Sequence, residues 1–227
     1  MERPDASGRH VYIMKIGVLG SGDVGRVLGA GLIGLGHEVM IGSREPASDK
    51  LLQWKDANGP RASTGTFAQA AAFGELILVA TLGTGTQHAL QLAGSENFNG
   101  KVVIDTTNPL VFPDGGPPGL EVGWNDSRGE QIQRWLPGAR VVKAFNIVGN
   151  NHMVKPDFPC GPPDMFIAGN DAAAKESVSA LLRGLGWNVI DIGGIAGARV
   201  LEPLCILWVL YAMQTRTRDH AFKLLHA

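Results

Sequence analysis

Short runs of branched apolar residues alternate along this chain with segments whose apolar positions recur every three or four residues. Residues 13–19, 37–41, 76–80, 102–105 and 140–145 are runs of the first kind. Their nearly unbroken apolar character predicts strands covered on both faces, as in a parallel sheet. Val24, Val27, Leu28, Leu32 and Leu35 mark a helix that Gly36 stops. Further helices are expected at 50–54, 66–73 and 87–92, with Asn58-Gly59-Pro60 as a break. This alternation predicts an α/β fold, a Rossmann-type doubly wound parallel sheet with helices on both faces.

Residues 108–126 are rich in Pro, Gly and Asp and are expected to form a long loop, a candidate lid or binding loop. Ser127 and Glu130 are spaced as a capping box for a short helix ending near Trp135. Residues 165–168, 172–185 and 187–192 predict one more strand–helix–strand step, and the last helix runs from about Ala198 to Met213. The expected organisation is a flexible N-terminal extension (1–13), a dinucleotide-binding Rossmann domain (14–150) and a small C-terminal α/β and helical lobe (151–227). From Leu204 to Met213 the last helix is apolar on every face. A helix apolar all round must be buried all round. A matching helix of a second copy is the expected cover, which predicts a homodimer.

Composition narrows the function. With 20 basic and 21 acidic residues the net charge is −1, so nothing points to nucleic acid as a partner. The longest apolar run has ten residues, Leu204 to Met213, against the ~18 a membrane span needs. Residues 1–13 are polar and lack the apolar centre of a secretion signal. No membrane partner and a cytoplasmic location are therefore expected. Cys160 and Cys205 are far apart and read as reduced thiols, with no metal pattern around them. Glycine is the outlier: 31 of 227 residues is about twice the ordinary ~7%.

Three of these glycines open the first motif, Gly20-Ser21-Gly22-Asp23-Val24-Gly25, between a strand and a helix. Gly20 permits the tight turn, Gly22 lets the backbone approach a pyrophosphate, and Gly25 lets helix and strand pack closely. N–H groups of Gly22, Asp23 and Val24 then face the anion at the positive end of the helix. The second strand ends in Ile41-Gly42-Ser43-Arg44, where an NAD site would place a carboxylate on the ribose 2′-hydroxyl. Here Ser43 offers a hydroxyl, Arg44 a planar fork for phosphate oxygens, and Lys50 added charge. Glu45 comes one residue late. NADP(H) is the expected cofactor.

Thr81, Leu82 and Thr84 follow the strand at 76–80, on the edge where doubly wound sheets bind ligands. Asn108 and Asn146 end the strands at 102–105 and 140–145 on the same edge. Their amides have the donors and acceptors that a nicotinamide carboxamide needs, and Ala144 and Phe145 are expected as its apolar wall. Lys143 has two readings, a general acid beside the hydride acceptor or a structural lysine. Its place in a strand, rather than in a helix after a glycine-rich stretch, favours the structural one. His88 reads as a surface residue. No residue is assigned a catalytic role, because no nucleophile triad, zinc motif, carboxylate pair or Walker loop is present.

The series Lys15–Gly25, Gly42-Ser43-Arg44, Val142–Asn146, Asp191-Ile192-Gly193 and Ala198–Leu204 resembles the NADPH-dependent deazaflavin (coenzyme F-420) reductases. It also resembles their relatives, the cytosolic oxidoreductase domains of the STEAP metalloreductases. The resemblance runs from about Lys15 to Met213. It implies an NADP-binding Rossmann domain with a small C-terminal lobe. It also implies hydride passing directly between nicotinamide and a deazaflavin or flavin, a small-molecule redox acceptor, with no essential protein acid or base. Two alternatives stay open: a non-enzymatic NADPH-binding sensor or cofactor-delivery module, and a reductase of a small carbonyl or imine using Lys143 or His88 as acid.

Overall fold

The computed structural model describes residues 2–4, 10–114 and 116–225, with backbone only for 2–4 and 10–12. Within the expected N-terminal extension, β1 (Glu2–Pro4) and β2 (His10–Tyr12) pair antiparallel. Residues 1 and 5–9 of that extension lie outside the described residues.

The branched apolar runs become the middle of one sheet. Its strands are β3 (Lys15–Leu19), β4 (Glu38–Gly42), β5 (Ala62–Gly65), β6 (Leu76–Val79) and β7 (Val102–Asp105), then β10 (Arg140–Lys143), β11 (Asp164–Gly169) and β12 (Asn188–Asp191). They lie in the order β12-β11-β10-β7-β6-β3-β4-β5. The six strands from β5 to β10 follow the doubly wound order, with β3 at the point where winding reverses, and all are parallel. Helices α1 (Asp23–Gly34), α2 (Asp49–Asn58), α3 (Phe67–Phe73), α4 (Thr86–Ala93), α5 (Arg128–Trp135) and α6 (Ala172–Gly184) supply the crossovers and cover both faces. Two apolar clusters result, one on each face. Ile16, Leu28, Val39 and Leu182 belong to the first, and Leu19, Ile77, Phe98 and Ile132 to the second. Local chemistry sets several helix starts. Thr66 and Gln69 form a reciprocal capping box on α3, Ser127 caps α5 through the N–H of Glu130, and Asp171 caps α6 through that of Ala174.

Four features differ from the sequence reading. Ala62–Gly65 forms an edge strand that carries no apolar run, because Ser63 and Thr64 sit half-buried at the sheet margin. The sheet is not wholly parallel: β11 pairs antiparallel with β10, while β11 and β12 are parallel. No helical crossover joins β10 to β11, and an antiparallel neighbour does not need one. The loop expected at 108–126 contains a small hairpin, β8 (Leu110–Val111) against β9 (Gly119–Leu120).

The fourth difference is the last helix. α7 (Ala198–Thr215) turns one face inward through Ala198, Leu201, Glu202, Cys205 and Trp208. Its opposite face, with Val200, Leu207, Leu210, Tyr211 and Met213, is exposed. Residues Ile195–Thr215 are also long and apolar enough to cross a membrane, which a count of consecutive apolar residues did not show because Glu202 and Pro203 interrupt the run. In the fold that interruption anchors the helix, since Glu202 is ion-paired beneath it with Lys143.

Candidate functional site

The glycine loop joins β3 to α1 at the winding reversal. Gly20 has φ +126°, and a Cβ there would overlap the carbonyl of Ala80, so only glycine serves. A Cβ on Gly25 would strike the Gly20 carbonyl, which fixes the close approach of helix and strand. Gly22, the N-cap of α1, is different: a Cβ there meets no protein atom, and no side chain caps the helix. The first-turn N–H groups, from Asp23 onward, thus open on free space at the positive end of α1.

The end of β4 lies beside this loop. Gly20 N–H donates to the Gly42 carbonyl, and the Ser21 and Ser43 hydroxyls are 3.2 Å apart. Ser43 is buried and accepts from Glu45 N–H, whereas the Arg44 side chain is exposed. Among the described residues no carboxylate pairs with Arg44. Asp23 instead pairs with Arg26, and the Lys50 ammonium stands 3.6 Å from it. The structure brings Ser21, Asp23, Ser43 and Lys50 to one corner, with Arg44 on its rim.

The carboxyl ends of β6, β7 and β10 meet further along the same edge. After β6, Thr81 and Leu82 are held by Thr86, whose hydroxyl lies 2.9 Å from that of Thr81 and donates to the Leu82 carbonyl. Leu82 and Thr84 are exposed. Gly83 packs so tightly on the Asn108 backbone that a Cβ would overlap it, which ties this turn to the end of β7. Asn108 and Asn146 form a reciprocal pair. Asn108 Nδ2 donates to the Asn146 carbonyl (2.7 Å), and Asn146 Nδ2 donates to Asn108 Oδ1 (3.0 Å) and to the Leu201 carbonyl (2.8 Å). Two acceptors on Nδ2 fix which way the Asn146 amide faces. Its Oδ1, in a side chain only 3% exposed, is left without a donor. Ala144 and Phe145 lie between Lys143 and Asn146, but both side chains are packed in the core. Expected from sequence as the apolar wall of the nicotinamide, Ala144 is fully buried and Phe145, at φ +61°, is nearly so.

A buried charge cluster lies at the ends of the same two strands. Lys143 is fully buried and register-paired with Asp105. Its ammonium donates to Asp105 Oδ2 (2.9 Å), Glu202 Oε1 (2.7 Å) and the Thr107 carbonyl (2.5 Å). Asp105 Oδ1 accepts from Thr107 N–H and Oγ1–H. Glu202 accepts from Arg128 N–H and Gly129 N–H at the start of α5. Burial alone would pull the lysine down, but the charges of Asp105 and Glu202 outweigh it and hold Lys143 above the ordinary lysine range. Three acceptors surround the ammonium, and the side chain has no exposed surface. Sequence reasoning missed Glu202; its signal is a lone carboxylate within an apolar helix. Beside it, burial pushes the Cys205 thiol up to about 12, so it is no nucleophile at neutral pH.

A cleft of about 370 Å³ opens against Glu202, between β9 with the segment after it and α7. Leu120, Val122, Trp124, Pro203 and Ile206 give it apolar walls, and Asp126 and Arg199 its polar rim. Two arginine pairs tie the covering segment to α5, Arg128 to Glu121 and Arg134 to both oxygens of Asp126, and a third, Arg199 to both oxygens of Glu130, ties α7 to α5. The Arg134 bonds hold Asp126, and those of Arg199 hold Glu130, below the usual carboxylate range. Phe112, just after β8, and Trp124, on the covering segment, stand exposed. His88 is exposed on α4, and the described residues include no cluster of metal-ligating side chains.

Residues 15–109 match the family described as NADP oxidoreductase, coenzyme F420-dependent. The chain is 31% identical over 221 residues to the F420-dependent NADP reductase of Methanothermobacter marburgensis, covering 93% of this chain and 98% of that protein. A solved structure assigned as an F420 dependent NADP-reductase from Arthrobacter sp. FB24 superposes with a TM-score of 0.88. It is 42% identical and covers 94% of this chain and 100% of its own. The Rattus norvegicus metalloreductase STEAP3 is 30% identical over 196 residues, 84% of this chain; the match spans only 36% of that protein.

Proposed function

This chain belongs to the coenzyme F420-dependent NADP oxidoreductase family and is an NADP-dependent oxidoreductase, and from that premise we propose that it transfers hydride between NADP(H) and a deazaflavin or flavin ring received in the cleft beside Glu202. The observation that carries the reading is the orphaned Asn146 Oδ1. A buried acceptor without a donor costs roughly 1–3 kcal/mol, so an inward-held amide in this state fits a site completed by a ligand N–H. The carboxamide of a nicotinamide supplies that donor, at the sheet edge where doubly wound folds bind dinucleotides.

In this reading the pyrophosphate sits on the N–H groups after Gly22, in the space left by the missing side chain. Ser43, Arg44 and Lys50 hold the 2′-phosphate. Thr81, Leu82, Thr84, Asn108 and the backbone of Ala144 to Asn146 surround the nicotinamide end. Bound there, NADP(H) and the acceptor supply the whole redox chemistry as a hydride exchange between two rings. The protein's part is to orient the rings and exclude water, with Leu120, Trp124 and Ile206 as the apolar wall. A ketone or imine reductase would need a proton donor at the site, and the ammonium of Lys143 is fully engaged.

Asn146→Ala is expected to slow hydride transfer at least tenfold while leaving affinity for the adenine end, measured with 2′,5′-ADP, nearly unchanged. Stopped-flow decay of NADPH absorbance at 340 nm checks it. Unaltered transfer in that variant removes Asn146 from the site.

The uncovered face of α7 belongs to the same proposal. Val200, Leu207, Leu210, Tyr211 and Met213 form an exposed apolar stripe opposite the buried one. A second copy of the chain covers it in a two-fold contact. Sedimentation equilibrium at micromolar concentration is expected to give about twice 24.0 kDa, and a mass of 24.0 kDa would overturn the dimer.

A further inference from the structure

Every contact of the two carboxylates in the buried cluster is with a donor. Asp105 accepts from Thr107 and Lys143, and Glu202 accepts from Lys143 and from two backbone N–H groups of α5. Two carboxylates against one ammonium leave one net negative charge, in side chains that are 0–2% exposed.

The placement of that charge is specific. Asp105 is three residues before Asn108 at the end of β7, and Lys143 three residues before Asn146 at the end of β10. Glu202 follows Leu201, whose carbonyl holds the Asn146 amide, and lines the cleft. All three elements that carry the cluster thus also carry the frame around the orphaned Asn146 Oδ1. Stability alone does not call for such a cluster, since well-packed apolar residues commonly serve as well or better.

We infer that the Asp105–Lys143–Glu202 cluster is an electrostatic bias beneath the nicotinamide that favours the oxidised cofactor over the reduced one. The inference rests on the proposed placement of the nicotinamide at Asn146. Loss of hydride turns a neutral dihydropyridine into a pyridinium cation, so the two cofactor forms differ at that ring by one positive charge. A net negative charge held in a dry site next to the ring stabilises the cation and leaves the neutral ring almost unaffected. The cluster thereby makes bound NADPH a stronger hydride donor than NADPH in water. Asp105, Lys143 and Glu202 are positioning residues in this scheme, acting on the ring through the field and through the asparagines.

The test is a set of equilibrium titrations with NADP+ and with NADPH on wild type, Glu202→Gln and Asp105→Asn. Each substitution keeps the side-chain shape and brings the cluster to neutrality. The ratio Kd(NADP+)/Kd(NADPH) is expected to rise by about tenfold in each variant, as for a unit charge acting across several ångströms of protein. Glu202→Asp retains the charge and should retain the wild-type ratio. A purely structural role would weaken both forms alike and leave the ratio unmoved. An unchanged or lowered ratio in whichever neutral variant folds overturns the inference. Asn146→Ala separates the two levels. If it weakens both nicotinamide forms while the charge variants leave the ratio alone, only the electrostatic inference fails. If it changes neither affinity, the nicotinamide placement fails and the inference falls with it.

Discussion

Arg44→Ala is expected to weaken NADPH binding by roughly ten- to a hundredfold and to leave NADH binding almost untouched. The two cofactors differ by one phosphate carrying nearly two negative charges. Arg44 stands exposed on the rim next to buried Ser43, and no carboxylate among the described residues occupies its guanidinium. A planar fork meets phosphate oxygens with two parallel bonds, and at an exposed site the contact contributes about 1.5–3 kcal/mol in all. Exposure lets salt screen part of this, so the effect should shrink between 0.05 and 0.5 M salt, both on the order of usual buffer strengths. Fluorescence titrations of wild type and variant with both cofactors decide it. Equal loss for NADPH and NADH would show that Arg44 supports the loop and not the phosphate. Ser43→Asp should move preference toward NADH by repelling the phosphate and offering the ribose an acceptor.

Lys143→Met is expected to destabilise the fold by about 3–5 kcal/mol, as is usual when one partner of a buried ion pair is removed. Methionine can fill the space of the lysine stem, but it leaves Asp105 and Glu202 facing each other without a cation. For a chain of this size the melting temperature should fall by roughly ten degrees. The lysine's raised value in the fold also fixes a pH signature. Its contribution is fully present below the unfolded lysine value of about 10.4 and is lost as pH climbs through the higher folded value. Wild type should therefore lose stability at the alkaline end more steeply than Lys143→Met does. Urea midpoints across the alkaline range check both statements; an unchanged midpoint at neutral pH would contradict the first, and parallel alkaline profiles the second.

The central strands and the glycine loop were legible in the sequence because burial on both faces demands uninterrupted apolar runs, and because Gly20 and Gly25 occupy positions where a Cβ overlaps backbone. The edge strand Ala62–Gly65 was hidden for the converse reason: a margin strand buries little and needs no such run. The antiparallel turn into Asp164–Gly169 depends on an irregular connection that no periodicity announces. At the site, Asn108 and Asn146 were identifiable as amides at strand ends, but their mutual pairing spans 38 positions and exists only in three dimensions. Phe145 reads as a wall for the ring because it sits next to Asn146, and adjacency in sequence does not show that it packs into the core cluster. Lys143 was visible singly, and Asp105 only as the end of its strand. Their third partner, Glu202, lies 59 positions beyond Lys143 on the last helix, and only the packing of that helix on the sheet edge brings it in.

The proposed direct hydride exchange between two rings makes one measurement decisive. NADPH carrying deuterium at C4 of the nicotinamide, on either face in turn, is mixed anaerobically with the enzyme and a 5-deazaflavin, whose C5 hydrogen does not exchange with water. The account predicts one-to-one oxidation of NADPH, with the label from a single face recovered at C5 of the reduced deazaflavin, and slowed transfer in Asn146→Ala. Tight NADPH binding with no reduction of deazaflavin or flavin would contradict it and favour a cofactor-binding module, and so would reduction whose new C5 hydrogen comes from solvent.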